Sequence, residues 1–142
     1  MIPDHAILLP PAALVLLTGF VCLRMASTRL SELRARRIHP QQVATSKQAA
    51  EKFENTQAAD NYRNLFEMPV LFYALCAFLA ITRLTTPLLL ACAWGYVVLR
   101  AGHTWIQLTN NKVIRRFQIF VASTFVLYVM WGIFLVRLLS AT

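Results

Sequence analysis

Acidic side chains are scarce in this chain. Six Asp and Glu stand against fourteen Lys and Arg in 142 residues, and the charged fraction is 14%. A soluble globular domain carries roughly 25% charged residues, so an ordinary cytosolic protein is excluded. Glycine is limited to four residues. With no Gly/Ser-rich linker and no internal repeat, residues 1–142 read as a single domain. The three cysteines, Cys22, Cys76 and Cys92, stand singly in different apolar runs. Without a CxxC or Cys/His spacing they form no metal site and read as buried thiols. Although the net charge is +8 and the pI about 10.1, no basic motif is interleaved with aromatics, so nucleic acid is not an expected partner. The flank Met1-Ile2-Pro3-Asp4-His5 has no Lys or Arg, and no small-residue cleavage site follows the run after it. That run is therefore read as a mature span rather than a signal peptide.

What the chain does have is segregation. Four charge-free runs, Ala6–Leu23 (18 residues), Met68–Thr82 (15), Leu84–Leu99 (16) and Phe117–Val136 (20), leave all the charges to the other 73 residues. The pattern predicts an all-α fold, an integral membrane four-helix bundle with spans at about 6–24, 62–83, 85–107 and 115–138 and a loop at about 25–61. Eight Lys and Arg, Arg63 the last of them, lie between the first two runs, and Arg100, Lys112, Arg115 and Arg116 between the last two. The other connection and the C-terminal tail carry only Arg83 and Arg137. The positive-inside bias then places both basic loops in the cytoplasm and both termini outside, a multi-pass topology suited to a bacterial inner membrane. Within the long loop, Thr45-Ser46-Lys47-Gln48 carries capping-box chemistry, and helix formers continue toward Asn64.

A hydrocarbon core of about 30 Å needs about 20 helical residues. The second and third runs are shorter, so their helices must recruit polar flanks. In the second helix Asp60, Arg63 or Asn64, and Glu67 recur every three to four residues, and in the third Arg100, His103, Gln107 and Asn110 or Asn111 do the same. Each helix thus has one polar stripe at the cytoplasmic level, where Arg24 ends the first helix and Arg115-Arg116 open the fourth. Polar groups at membrane depth are costly unless paired, solvated or ligand-bound, which makes the belt a candidate site. Blander readings stand beside it. Arg24, Arg29 and Lys112 suit lipid headgroups, and Glu67 suits an internal pair with Arg63 or Arg100 that locks the bundle. Pro69 leaves the Leu65 carbonyl without its helical donor, which predicts a kink beside the cluster. Trp94, Tyr128 and Trp131 read as packing or interface anchors.

Arg63-Asn64-Leu65-Phe66-Glu67, followed by an apolar helix with an early Pro, resembles the Arg-Asn-x-x-Glu signature of the MAPEG family, the membrane-associated proteins in eicosanoid and glutathione metabolism. Arg100-Ala101-Gly102-His103-Thr104 resembles the Arg-x-x-His-Thr element of that family's third helix. The likeness covers nearly the whole chain and extends to Arg116 at the start of the fourth helix, as in a bacterial-type member. It implies a homotrimer with glutathione as cosubstrate, bound on the cytoplasmic side between subunits. By position, Arg63, Asn64 and Glu67 would hold the charged ends of the tripeptide, with Arg100 and His103 from the third helix. Arg116 would be the catalytic residue near the sulfur, and Arg24 is a weaker match to a first-helix arginine. Three positions depart from the family pattern. Gln107 stands where the family has tyrosine, Phe117 where a small hydroxyl residue often follows the arginine, and Leu65 where prostaglandin-isomerising members are acidic. The last speaks against isomerase activity.

The expected function is a membrane-bound glutathione-dependent transferase or peroxidase for lipophilic electrophiles, with the bilayer and a lipophilic small molecule as further partners. Two other classes compete with it. A non-catalytic relative would have lost the tyrosine, and a small proton-coupled exporter would use Glu67 for lipophilic cations, which Arg63, Arg100 and Arg116 would repel.

Overall fold

The computed structural model describes residues 4–140. Met1, Ile2 and Pro3 of the N-terminal flank, and Ala141 and Thr142, lie outside the described residues. After a 3-10 turn, Asp4–Leu8, the chain forms α1 (Leu9–Ala35), a second 3-10 turn (Pro40–Val43), α2 (Ser46–Lys52) and α3 (Gln57–Asn64). Then follow α4 (Met68–Thr82), α5 (Pro87–Leu108) and α6 (Val113–Ser140). Three stretches are long and apolar enough to cross a membrane among the described residues: His5–Ala35, Gln57–Thr82 and Val113–Ser140. Helix α5 has 22 residues, about 33 Å of rise, but Arg100, His103 and Gln107 lower its hydropathy. Large apolar side chains such as Leu16, Ile81, Phe125 and Leu139 point outward, as a lipid-facing exterior requires.

The core is a set of seams. Ile7, Leu14 and Val21 recur every seven residues ahead of and along α1, and all three are fully buried. On α6 the buried positions are Ser123, Leu127, Met130 and Phe134, and on α4 they include Phe72, Leu75, Cys76 and Leu79. On α5 the stripe Leu89, Ala93, Tyr96, Arg100, His103, Gln107 steps by four and three throughout, and every member is buried. This alternation keeps one face of a helix against its neighbour, and α5 packs chiefly against the antiparallel α6. The connecting turn is short. Asn111 takes a left-handed backbone (φ 46°), a conformation that asparagine tolerates better than most residues.

Two expectations about the segment before α4 change. The loop expected from residue 25 is helical to Ala35. No Gly or Pro interrupts Met25–Ala35, and the hydroxyls of Ser27, Thr28 and Ser31 bond back to carbonyls three or four residues earlier, so polarity does not end the helix. The Thr45/Gln48 capping box forms with both its hydrogen bonds, yet the helix it opens stops at Lys52. Phe53 is extended and buried under the Arg29 guanidinium, 5.6 Å from the ring centroid. The Glu32 carboxylate accepts from the Glu54 and Asn55 amides, both at 3.0 Å. Arg36 adds an ion pair to Glu54 at 3.3 Å and donates to the Lys52 carbonyl. The extra length of α1 is therefore the post to which this segment is tied. Replacing Glu32 by Ala should speed hydrogen exchange at the Glu54 and Asn55 amides several-fold while leaving α5 and α6 unchanged. Mass-spectrometric exchange would check this.

Candidate functional site

The expected kink before Pro69 is present and falls slightly earlier. Helix α3 ends at Asn64, and Glu67 (φ −86°, ψ −92°) leaves helical geometry before α4 starts at Met68. The break frees the Asn64 carbonyl. The Arg100 guanidinium fills that need, donating from Nη2 to the Asn64 oxygen at 2.6 Å. Two side-chain bonds on the same face join α3 to α5. Thr104 Oγ1 donates to Asn61 Oδ1 (3.3 Å), and Asn64 Nδ2 donates to Gln107 Oε1 (3.4 Å). The seam of α5 thus changes at Arg100 from apolar packing to a polar weld on the kinked helix.

Beside this weld lies a cavity of about 240 Å³, lined by Asn64, His103, Val113, Arg116, Phe117 and Phe120. Arg116 is half-buried and oriented by the α5–α6 turn, donating from Nη1 to Asn111 Oδ1 at 2.9 Å. Phe120, one turn further along α6, stands 6.2 Å from the His103 ring and 5.9 Å from the Arg100 guanidinium carbon. The cavity therefore combines cationic and amide groups with an aromatic wall. Arg100 is fully buried behind it. Among the described residues its Nε and Nη1 find no hydrogen-bond partner, nor does Nδ1 of the buried His103. Buried donors without partners are rare in native structures and cost free energy unless something else satisfies them.

The sequence-predicted residues divide into two groups. Asn64, His103 and Arg116 line the cavity, and Arg100 and Gln107 stand behind it, bonded to Asn64. Arg24, Arg63 and Glu67 are exposed and do not line the cavity. Arg24 stands over a groove between α1 and α5, while Arg63 lines a groove between α1 and α3. Glu67 forms no ion pair among the described residues, and its charge acts on Arg100 only at longer range. The cross-helix partner of Arg100 is a backbone carbonyl and not that carboxylate. Asn61 was missed by sequence reasoning. It is fully buried, and its spacing of three from Asn64 was the available signal. No group of three or more His, Cys, Asp or Glu suited to a metal occurs among the described residues.

Fold and site together define an α-helical membrane protein with a cationic cavity at one end of a helical hairpin. In comparison with known proteins, the model of the MAPEG family matches residues 7–136, and the chain belongs to that family. No curated protein and no solved structure matches it. Membership supports a membrane-bound, glutathione-related transferase, peroxidase or related function.

The energetics of Arg100 give a test. Its bond to the Asn64 carbonyl is worth about 1.5–3 kcal/mol, whereas burying a guanidinium without an ion-pair partner costs several kcal/mol. Arg100→Met should therefore melt at the same or a higher temperature than the parent in ligand-free detergent solution. A clear fall in melting temperature would make Arg100 a structural strut.

Proposed function

We propose that the protein is a glutathione-dependent transferase or peroxidase for lipophilic electrophiles, acting as a homotrimer with glutathione held at the cytoplasmic side. The observation that carries this reading is the fully buried Arg100, two of its nitrogens without a hydrogen-bond partner, behind a cavity that Arg116 lines. Glutathione is a net anion, and a carboxylate within reach of Arg100 would satisfy donors that this chain leaves unpartnered. Asn64 and Gln107 supply amide groups for the peptide backbone, and His103 supplies a second ring donor or acceptor. In one copy the cavity is smaller than the about 300–1,000 Å³ of a typical small-molecule site. This supports a site completed by a neighbouring copy, to which Arg24 and Glu67, exposed on other faces, are available. The positive-inside bias places this end in the cytoplasm and both termini outside.

Arg116 is the residue assigned to the sulfur. Lowering a thiol pKa by two units requires about 2.7 kcal/mol of preferential thiolate stabilisation. A half-buried guanidinium, fixed by Asn111 and shielded by Phe117 and Phe120, is suited to supply it. The electrophile enters from the lipid past the exposed Val113 and Phe117, which form the apolar side of the same cavity.

A non-catalytic reading draws on one observation, the Asn64–Gln107 bond, which engages two of the amides needed for a ligand. One experiment separates the two readings. The wild type should bind glutathione by titration calorimetry and conjugate it to a lipophilic electrophile. Arg116→Ala should lose the thiolate absorbance near neutral pH and about 10²-fold of the conjugation rate, equivalent to about 2.7 kcal/mol, with a much smaller loss of affinity. Arg115, exposed and about 100° away around the helix, should tolerate Ala with little change. Glutathione binding without turnover across several electrophiles would favour the non-catalytic reading.

A further inference from the structure

An anion entering the cavity beside Arg116 does not meet Arg100, because that side chain is fully buried and takes no part in the cavity lining. What stands between them decides whether the buried charge can be used. Asn64 is fixed twice, by its side-chain bond to Gln107 and by the Arg100 guanidinium at its carbonyl. His103 is buried. Phe120 differs from both. It lines the cavity, is half-buried, and has no polar atom on its side chain to tether it, yet its ring centre lies 5.9 Å from the Arg100 guanidinium carbon.

The ring is held there by attraction alone. A guanidinium within about 6 Å of an aromatic centre is drawn to the ring's negative face, so Phe120 gives the buried charge a favourable neighbour on the cavity side. A carboxylate offers the same guanidinium charge-assisted hydrogen bonds, which are stronger, and Nε and Nη1 have no partner among the described residues. An arriving anion can therefore displace the ring, whereas a neutral molecule has no such lever. The displacement is confined to the side chain. Ser123 Oγ donates to the Phe120 carbonyl at 2.8 Å within the continuous helix α6, which leaves rotation about χ1 and χ2 into the open cavity. Tyr96, one turn before Arg100 on α5, is fully buried and stacked on Phe72 at 4.4 Å, so it has no comparable freedom. We propose that Phe120 is a positioning residue that governs access to Arg100: its ring covers the guanidinium in the conformation described and turns aside for the carboxylate of an anionic ligand. The proposal rests on the glutathione reading for the identity of that ligand, and it makes the deep end of the cavity selective for anions.

The test treats the full-length protein in detergent with butane-2,3-dione, an arginine-directed reagent, and locates the modified residues by peptide mass spectrometry. Arg116, which lines the cavity, is the internal reference in every sample. In the wild type Arg100 should react about tenfold or more slowly than Arg116, because the reagent must wait for the ring to move. In Phe120→Ala the two rates should converge, and in Phe120→Tyr, which restores a ring, they should separate again. The fully buried Cys76 should stay unreactive toward a maleimide in all three proteins. Equal rates in the wild type would overturn the proposal, since nothing would then cover Arg100. So would an Arg100 that stays slow in Phe120→Ala, or a Cys76 that becomes reactive together with Arg100, which would mean general loosening. Glutathione should slow the reaction of Arg100 in Phe120→Ala. If that protection is missing while the ring dependence holds, the cover by Phe120 stands and glutathione is removed as its ligand. Should Phe120→Ala not fold, Phe120→Leu carries the same comparison.

Discussion

One hydrogen bond organises this end of the molecule, the donation from the buried Arg100 guanidinium to the Asn64 carbonyl. The carbonyl is free because α3 stops before Pro69, and the guanidinium is there because Arg100 occupies a packing position of α5. A continuous helix would have used the carbonyl internally and left the arginine with no acceptor. The kink therefore supplies the acceptor that the buried charge needs. Asn61–Thr104 and Asn64–Gln107 extend the weld to either side, so the cavity wall is a joint between two helices.

The joint also explains why a charge can remain on a packing seam. A wholly apolar stripe would hold α5 to its neighbours at lower desolvation cost. At the opposite end the seam is apolar, with Leu89, Ala93 and Tyr96, the last stacked on Phe72 at 4.4 Å. The bundle is thus held by packing at one end and by polar contacts at the other. The unpartnered nitrogens of Arg100 and His103 belong to the second half, whereas the unpartnered Tyr96 hydroxyl belongs to the first.

Much of this was legible in the sequence, for local reasons. The apolar runs marked the long helices because hydropathy is set residue by residue, and the Thr45 capping box formed because its partners are three residues apart. The α5 stripe was readable because one unbroken helix preserves phase. Phase failed wherever a helix broke. Glu67 shares a face with Arg63 or Asn64 only on a continuous helix, and the helix is interrupted at residues 65–67. The extension of α1 was hidden for a different reason: charged residues were read as loop, although helix length follows propensity and back-bonding rather than lipid thickness. Asn61 could not be recognised as buried because its partner, Thr104, is 43 positions away.

The steps of four and three run along both arms of the hairpin, since Arg116, Phe120, Ser123, Leu127, Met130 and Phe134 continue on α6 the rhythm of α5. The turn of Thr109–Lys112 therefore acts as a phase reference between the two arms. One residue inserted there, or anywhere before Arg116 on α6, would rotate that arginine by about 100° and carry it out of the cavity while leaving both helices apolar and intact. Because Leu127, Met130 and Phe134 would turn with it, length variation of that kind would disrupt the α5–α6 seam together with the cavity. The stretch between Ala35 and Ser46 sets no such phase. Lineages of this fold can be expected to drift in length in the first connection and to hold the last one fixed.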